Sequence, residues 1–291
     1  MMESMGMDEN ITNKKQKKAV VIIKGGFGNQ LFQFAFANYL KSLNFKVSIN
    51  IDFFNNSDPN STNRNLVIPV EYFDLKVTTV FEKIYYKFLK KIISNNSNNY
   101  MKTFKGYEVN IADTVEINIF DGYWKNLKYL EDQKNYIVDS LKKNKILNES
   151  FKNEIKPNST AIHIRRGDFL KNGWNLDIEF YEESLNYLNE NIENFSFDIF
   201  TDDPEWVKNQ YIFKDVNKIF AQKTNTEIET IETFAKLMNY QNTVIGNSTF
   251  SFLSAFIKGS ENETVITCDP WYTNSNHPTL AKPGWIKIKN K

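Results

Sequence analysis

Arg165 and Arg166 stand at the end of an apolar run, Thr160-Ala161-Ile162-His163-Ile164, and are followed at once by Gly167 and Asp168. The run reads as a buried strand opening into a charged loop. Side chains alternate along a strand, so His163 and Arg165 share one face, while Arg166 shares the other with Ile162 and Ile164. Two guanidinium groups among apolar neighbours are costly to desolvate unless an anion meets them. Two answers fit: a structural ion pair with Asp168 or another carboxylate, or an anionic ligand such as phosphate, which the planar guanidinium fork suits. In an open α/β sheet, ligands bind at the carboxyl ends of strands.

Two further strand ends carry polar groups. Phe197-Asp198-Ile199-Phe200-Thr201 turns directly into Asp202-Asp203-Pro204. Asp203 suits a helix N-cap and Pro204 a first helical residue, which leaves Asp202 beside the point where Arg165 emerges. Adjacent acids can hold a metal, but no further acid falls at ligand spacing. Thr243-Val244-Ile245 leads into Gly246-Asn247-Ser248-Thr249 and an apolar helix over 250–257. Asn247, Ser248 and Thr249 either cap that helix or seat a phosphate with its free N–H groups. If the three strands are neighbours in a parallel sheet, these groups converge on one crevice. That convergence favours the anionic ligand.

The elements that must hold them follow an alternating strand and helix pattern. A strand over 19–23 is followed by Gly25-Gly26-Phe27-Gly28-Asn29-Gln30, a helix over 31–43, and a strand over 46–51 ending at Asp52. The unit approaches a dinucleotide-binding fingerprint, but Leu31 occupies the third glycine position, so nicotinamide or flavin chemistry is the weaker reading. Gly26 and Gly28 are expected to permit positive φ and to expose N–H groups at a helix start. Asp58-Pro59-Asn60 and the stretch 94–99 read as loops. Between them Phe81, Ile84, Tyr85, Phe88, Leu89 and Ile92 form one helical stripe with lysines on other faces. Packing on its own domain is the favoured reading of that stripe, and contact with an anionic membrane the other. A strand over 115–121 precedes Gly122-Tyr123-Trp124-Lys125-Asn126, an aromatic turn of a kind that sugars favour and that also serves as core. Helices are expected over 127–155, 178–192 and 227–239, a strand over 264–267, and an irregular tail over 269–285.

Composition sets the frame. The chain has 291 residues, 41% hydrophobic and 24% charged, which supports a large core and one or two domains. A net charge of +1 argues against nucleic-acid binding through a basic face. With one cysteine, Cys268, no intrachain disulfide forms, and with two histidines, His163 and His277, a Cys/His zinc site is not expected. No apolar run reaches the ~20 residues of a membrane span, and residues 1–18 lack a signal-peptide core. A cytoplasmic protein is the expectation, and Asn60-Ser61-Thr62 reads as a by-product of an Asn-rich chain.

Gly25-Gly26-Phe27-Gly28-Asn29-Gln30-Leu31-Phe32-Gln33-Phe34-Ala35, His163-Ile164-Arg165-Arg166-Gly167-Asp168, Phe200-Thr201-Asp202-Asp203 and Asn247-Ser248-Thr249-Phe250-Ser251 together resemble, in order, the blocks of bacterial α-1,2-fucosyltransferases. The resemblance implies two Rossmann-like α/β domains facing across a cleft, the GT-B arrangement, with a polar tail over 1–18. An acceptor-side domain would span 19–156 and a GDP-fucose domain 157–291. It implies inverting transfer of fucose to the 2-hydroxyl of a terminal galactoside, on an oligosaccharide or a lipid-linked glycan, without a metal cofactor. Fucosyl transfer in another linkage and a non-catalytic sugar-nucleotide or glycan-binding protein are the alternatives. Arg165 and Asp168 are the implied catalytic residues. His163, Arg165, Arg166, Asp202, Glu232, Asn247, Ser248 and Thr249 would bind the donor, with Gly26, Gly28, Asn29 and Gln30 across the cleft. Cytoplasmic placement at the inner membrane face fits a lipid-linked acceptor.

Overall fold

The computed structural model describes residues 16–55, 64–93, 100–222, 226–259, 262–274 and 277–291. Most of the expected tail, the loops at 58–60 and 94–99 and the Asn60 triplet lie outside the described residues. The chain alternates strands and helices: β1 Lys18–Ile22, α1 Phe27–Ser42, β2 Lys46–Asn50, β3 Lys76–Val77, α2 Val80–Ile93, β4 Met101–Phe104 and β5 Ile117–Phe120. These five strands form one parallel sheet in the order β3-β2-β1-β5-β4. Three helices follow, α3 Leu127–Asp132, α4 Lys134–Leu141 and α5 Lys145–Lys152. The second half runs through β6 Lys156–Ile164, α6 Gly167–Asn172, α7 Ile178–Asn191, β7 Ser196–Thr201, α8 Pro204–Lys208, β8 Lys218–Ala221, α9 Glu227–Leu237, β9 Tyr240–Gly246, α10 Thr249–Lys258, β10 Val265–Asp269 and β11 Ile286–Lys289. Its sheet is also parallel, in the order β11-β10-β9-β6-β7-β8. The strands ending at Ile164, Thr201 and Gly246 are therefore neighbours, as the convergence of their polar ends requires.

The stretch expected to form the domain boundary opens strand β6. Pro157 is tolerated there because the β6–β9 register shifts between Lys156 and Thr160, so the proline falls at an irregularity near the strand's start. Strand β11 extends the sheet beyond the expected tail.

The largest hydrophobic cluster spans both halves, from Ala19 and Val21 to Trp271 and Leu280, and a second one, with Ile162, Ile164 and Ile199, lies within the second half. Helix α1 is the axis of the larger cluster, with apolar residues on nearly every side and 12 of its 16 residues buried. Phe32 stacks on Phe252 of α10, and Phe36 on Trp124. A Cβ on Gly28 would lie 2.6–2.7 Å from the backbone of Thr249 and Phe250. Gly28 is thus a clearance residue that lets the amino-termini of α1 and α10 meet. The expected positive φ belongs to neither Gly26, with φ −73°, nor Gly28, which is helical, but to Gly25 at +78°.

Candidate active site

A cleft of about 390 Å³ lies between the halves. Strand β6 delivers His163 and Arg165 into it and, by alternation, turns Arg166 away. Arg166 lies 4.0 Å over the Trp206 ring and pairs with Asp203 at 3.0 Å, so it braces α8. Asp203 also caps α8 by accepting from the Trp206 N–H.

Arg165 meets both answers its sequence posed. Its Nε and Nη2 lie 3.0 and 2.8 Å from Asp168 Oδ1, and its Nη1 lies 2.8 Å from Asp202 Oδ2. A guanidinium has five N–H donors in a fixed fork. Three are used here, and the residue still lines the cleft. Asp202 is not free: it also accepts from the backbone N–H groups of Arg166 and Gly167. A Cβ on Gly167 would come within 2.8 Å of this carboxylate, so the glycine lets Asp202 tie down the turn.

Sequence reasoning missed the third arginine. Arg64 Nη2 donates to Asp168 Oδ2 at 2.6 Å, so Asp168 bridges two guanidinium groups with its two oxygens. Burial, and then the like charge of Arg165, depress the Arg64 pKa. Gln30, fully buried, holds this segment by donating to the carbonyls of Gly25 and Asn65 and accepting from the Val67 N–H. Gln30 is therefore a brace behind the cleft, while Gly26, Gly28 and Asn29 line it. One compositional signal pointed to Arg64. Of 36 basic residues only three are arginines, at 64, 165 and 166, and all three lie at this site or its edge.

The helix start after β9 divides into distinct roles. Asn247 donates to the Trp174 carbonyl at 2.7 Å and holds that aromatic loop, without lining the cleft itself. Ser248 is the N-cap residue, yet its side chain makes no capping bond, and it lines the cleft. Thr249 donates to Asn29 Oδ1 at 3.3 Å across the halves. The amino-termini of α1 and α10 both open on the cleft, where unsatisfied N–H groups and helix dipoles favour an anion. Glu232 does not join them. Helix α9 buries Thr230, Ile231, Phe234 and Ala235, which leaves Glu232 exposed on another face, and Thr230 is the α9 residue at the cleft.

His163 is buried, and its Nδ1 has no partner among the described residues. Burial, and then Arg165, lower its pKa to about 4, so the imidazole is neutral at pH 7. Opposite the arginines, the 122–126 turn splits its residues. Trp124 is fully buried in the core, whereas Tyr123 and Lys125 face the cleft with Tyr107, Tyr272 and His277. Lys125 is only 7% exposed. No carboxylate among the described residues pairs with it, and its Nζ lies 5.2 and 5.9 Å from the Tyr123 and Tyr107 ring centroids. Cation–π contacts of this kind return about 2 kcal/mol at best, while desolvating an ammonium costs several. Burial accordingly lowers the Lys125 pKa to about 7. Among the described residues no group of three or more His, Cys, Asp or Glu side chains is placed to hold a metal ion.

Two parallel sheets with a cleft at the carboxyl ends of their strands, anion-directed donors on one wall and aromatic rings with a cation on the other, make up the GT-B arrangement in which glycosyltransferases are built. The chain belongs to glycosyl transferase family 11, whose model matches residues 18–289. It is 28% identical to an α-1,2-colitosyltransferase of Escherichia coli, over 93% of this chain and 98% of that protein. It is 23% identical to the O-antigen biosynthesis glycosyltransferase WbnK of Escherichia coli, over 91% and 99%. Among solved structures, fucosyltransferase NodZ from Bradyrhizobium is 12% identical over 84% of this chain and 93% of that chain, with a TM-score of 0.45. The fold is established by the two sheets of this chain themselves.

Proposed function

We propose that the protein transfers L-fucose from GDP-fucose to the 2-hydroxyl of a terminal galactoside, with inversion and without a metal ion. The observation that carries the reading is Arg165, held by Asp168 and Asp202 with donors to spare, beside the uncapped Ser248 start of α10. As the acceptor oxygen bonds to C1, the bond from C1 to the diphosphate oxygen breaks and charge grows on the leaving phosphate. Preorganised donors aimed at developing charge are commonly the largest catalytic term. Arg165, the Ser248 hydroxyl and the first-turn N–H groups of α10 fill that role here. His163, neutral and partly unpartnered, reaches the nucleoside side. Both Asp168 oxygens are already taken by arginines, so this aspartate positions the pair and is a poor base for the acceptor hydroxyl. A loose transition state asks little of a base, and the acceptor hydroxyl gives up its proton to the leaving diphosphate or to water in the cleft once its oxygen has bonded to C1.

The acceptor wall carries the unanswered charge of Lys125, which an acceptor bearing a carboxylate or phosphate group would meet. A second donor reading, colitosyl transfer in the same linkage, is favoured by the name of the 28% identical relative. Colitose is fucose without its 3-hydroxyl. A screen of galactosides with GDP-fucose and GDP-colitose, read by mass spectrometry and GDP release, tests both. No product from either donor overturns the reading. Transfer that requires Mn²⁺ or Mg²⁺ overturns its metal-independent aspect.

A further inference from the structure

Helix α2 is built to stand without burying its apolar side. Thr79 and Glu82 form a reciprocal capping box: the Thr79 N–H donates to Glu82 at 2.8 Å, and the Glu82 N–H to Thr79 Oγ1 at 3.2 Å. Lys83 ties the helix to Asp52 at 2.5 Å. Its half-buried face carries Glu82, Lys83, Tyr86 and Leu89. The stripe expected to pack on its own domain points outward instead, apart from Leu89. Phe81 is 84% exposed, Phe88 61%, Ile84 60% and Ile92 54%, with Val80 and Tyr85 exposed at the margins. A contiguous apolar face of this kind on a surface helix marks an interaction site.

The geometry points to a lipid bilayer carrying anionic headgroups as the partner of this face. Lys91 and Lys87 are exposed along one flank of the stripe, with Lys90 on the side away from it, the arrangement of a helix that lies in a membrane interface with its rings buried and its flanking amines at the phosphates. At 14 residues the helix is about 21 Å long, too short to span, and among the described residues no helix is long and apolar enough to cross a membrane. A second copy of the chain would cover the apolar stripe but would bring like charges together along its lysine flank. Asp52, the partner of Lys83, is followed by Phe53, which lines the cleft. Docking through α2 therefore ties the cleft edge at Phe53 to the helix that meets the bilayer. That consequence rests on the transferase reading; the docking itself does not.

Sedimentation with vesicles tests the surface directly. The wild-type chain is mixed with vesicles of phosphatidylcholine alone and of phosphatidylcholine with phosphatidylglycerol, alongside F81S/F88S and K87E/K91E. The wild type is expected to bind the anionic vesicles and to leave the neutral ones largely free. Lysines near an anionic surface contribute about fivefold each, so K87E/K91E should lose at least ~25-fold in partitioning. F81S/F88S should lose binding to the anionic vesicles even though its lysines are intact, because the apolar face supplies the burial. Circular dichroism on all three proteins reports the fold and GDP binding reports the nucleotide site, so loss of the donor reading leaves the docking result interpretable. No wild-type binding at low salt, or equal binding by the variants, overturns the proposal. A wild-type dimer in solution that F81S/F88S converts to monomer overturns it in favour of a copy-to-copy interface.

Discussion

The two walls of the cleft treat positive charge in opposite ways. On the β6 side, Arg165 and Arg64 share Asp168, and Asp202 completes the set, so two guanidinium groups meet two carboxylates. On the other side Lys125 is buried among aromatic rings with no carboxylate among the described residues. The first arrangement is preorganised: charge is compensated before a ligand arrives, and the fork's remaining donors are held in place. The second is poised: the ammonium is costly where it stands, and an incoming anion would restore what burial took away. A leaving group of fixed geometry calls for the first kind of site, and a discriminating acceptor pocket for the second.

The strongest way to break this comparison is at Arg165. Arg165→Ala is expected to lower turnover at least ~100-fold, the scale of losing a donor to a charge that develops in the transition state. Arg165→Lys should recover little of it, because a point charge cannot serve Asp168, Asp202 and a phosphate together. Circular dichroism checks that both variants fold. Turnover within a few-fold of wild type in Arg165→Lys would mean that charge alone, not the held fork, carries the effect.

That prediction rests on the region of the molecule most legible in sequence. The alternation across Ile164-Arg165-Arg166 put the two arginines on opposite faces, yet both were expected to bind the donor, and Arg166 is instead spent on Trp206 and Asp203; the order β9-β6-β7 brings the three strand ends together. Asp203 and Pro204 fixed the start of α8 by local chemistry alone. What stayed hidden depends on distant packing. Gly28 looked like a phosphate-turn glycine and proved to be a contact between helices far apart in the chain, which no local pattern encodes. Arg64 sits in a loop whose position is set by the Gln30 side chain. The α2 stripe was readable as a stripe, but only the surrounding fold decides whether such a face is covered.

Lys125 sharpens the comparison through pH. Its folded pKa of about 7 lies below an unfolded value of 10.5, so between those values the unfolded chain binds more protons. Stability should therefore rise with pH across that window. His163 and His277, both lowered by burial to about 4 from 6.5, give the same sign between pH 4 and 6.5. Lys125→Met should raise stability by about 2 kcal/mol near pH 7, as removal of a buried uncompensated charge does, and should flatten the upper window alone. Thermal melts from pH 4 to 10 read both. Calorimetry at pH 8 in two buffers adds the ligand side. Methyl galacturonoside should bind the wild type with proton uptake and Lys125→Met without it, while methyl galactoside should show none in either. An unchanged upper window in Lys125→Met would place the cause of the pH dependence elsewhere.

The smallest expected effects separate Ser248 from Thr249, which adjoin in sequence but answer to different walls. The Ser248 side chain makes no capping bond, so its removal should leave the melting temperature almost unmoved. If its hydroxyl meets the diphosphate, Ser248→Ala weakens GDP binding by about 1.5 kcal/mol, the lower end for a hydrogen bond to a charged group and roughly tenfold in affinity. Thr249 spends its hydroxyl on Asn29 at 3.3 Å, a long neutral bond between the halves. Thr249→Val should cost at most about 0.5–1 kcal/mol of stability and leave GDP affinity within twofold. Asn29→Ala should match it and, combined with Thr249→Val, should add nothing, because the two lose the same bond. Titration calorimetry with GDP on each variant, paired with melts, resolves the four cases. If Ser248→Ala lowers stability and spares GDP, its hydroxyl caps α10 in solution, and the anion site contracts to Arg165 and the backbone N–H groups at the helix start.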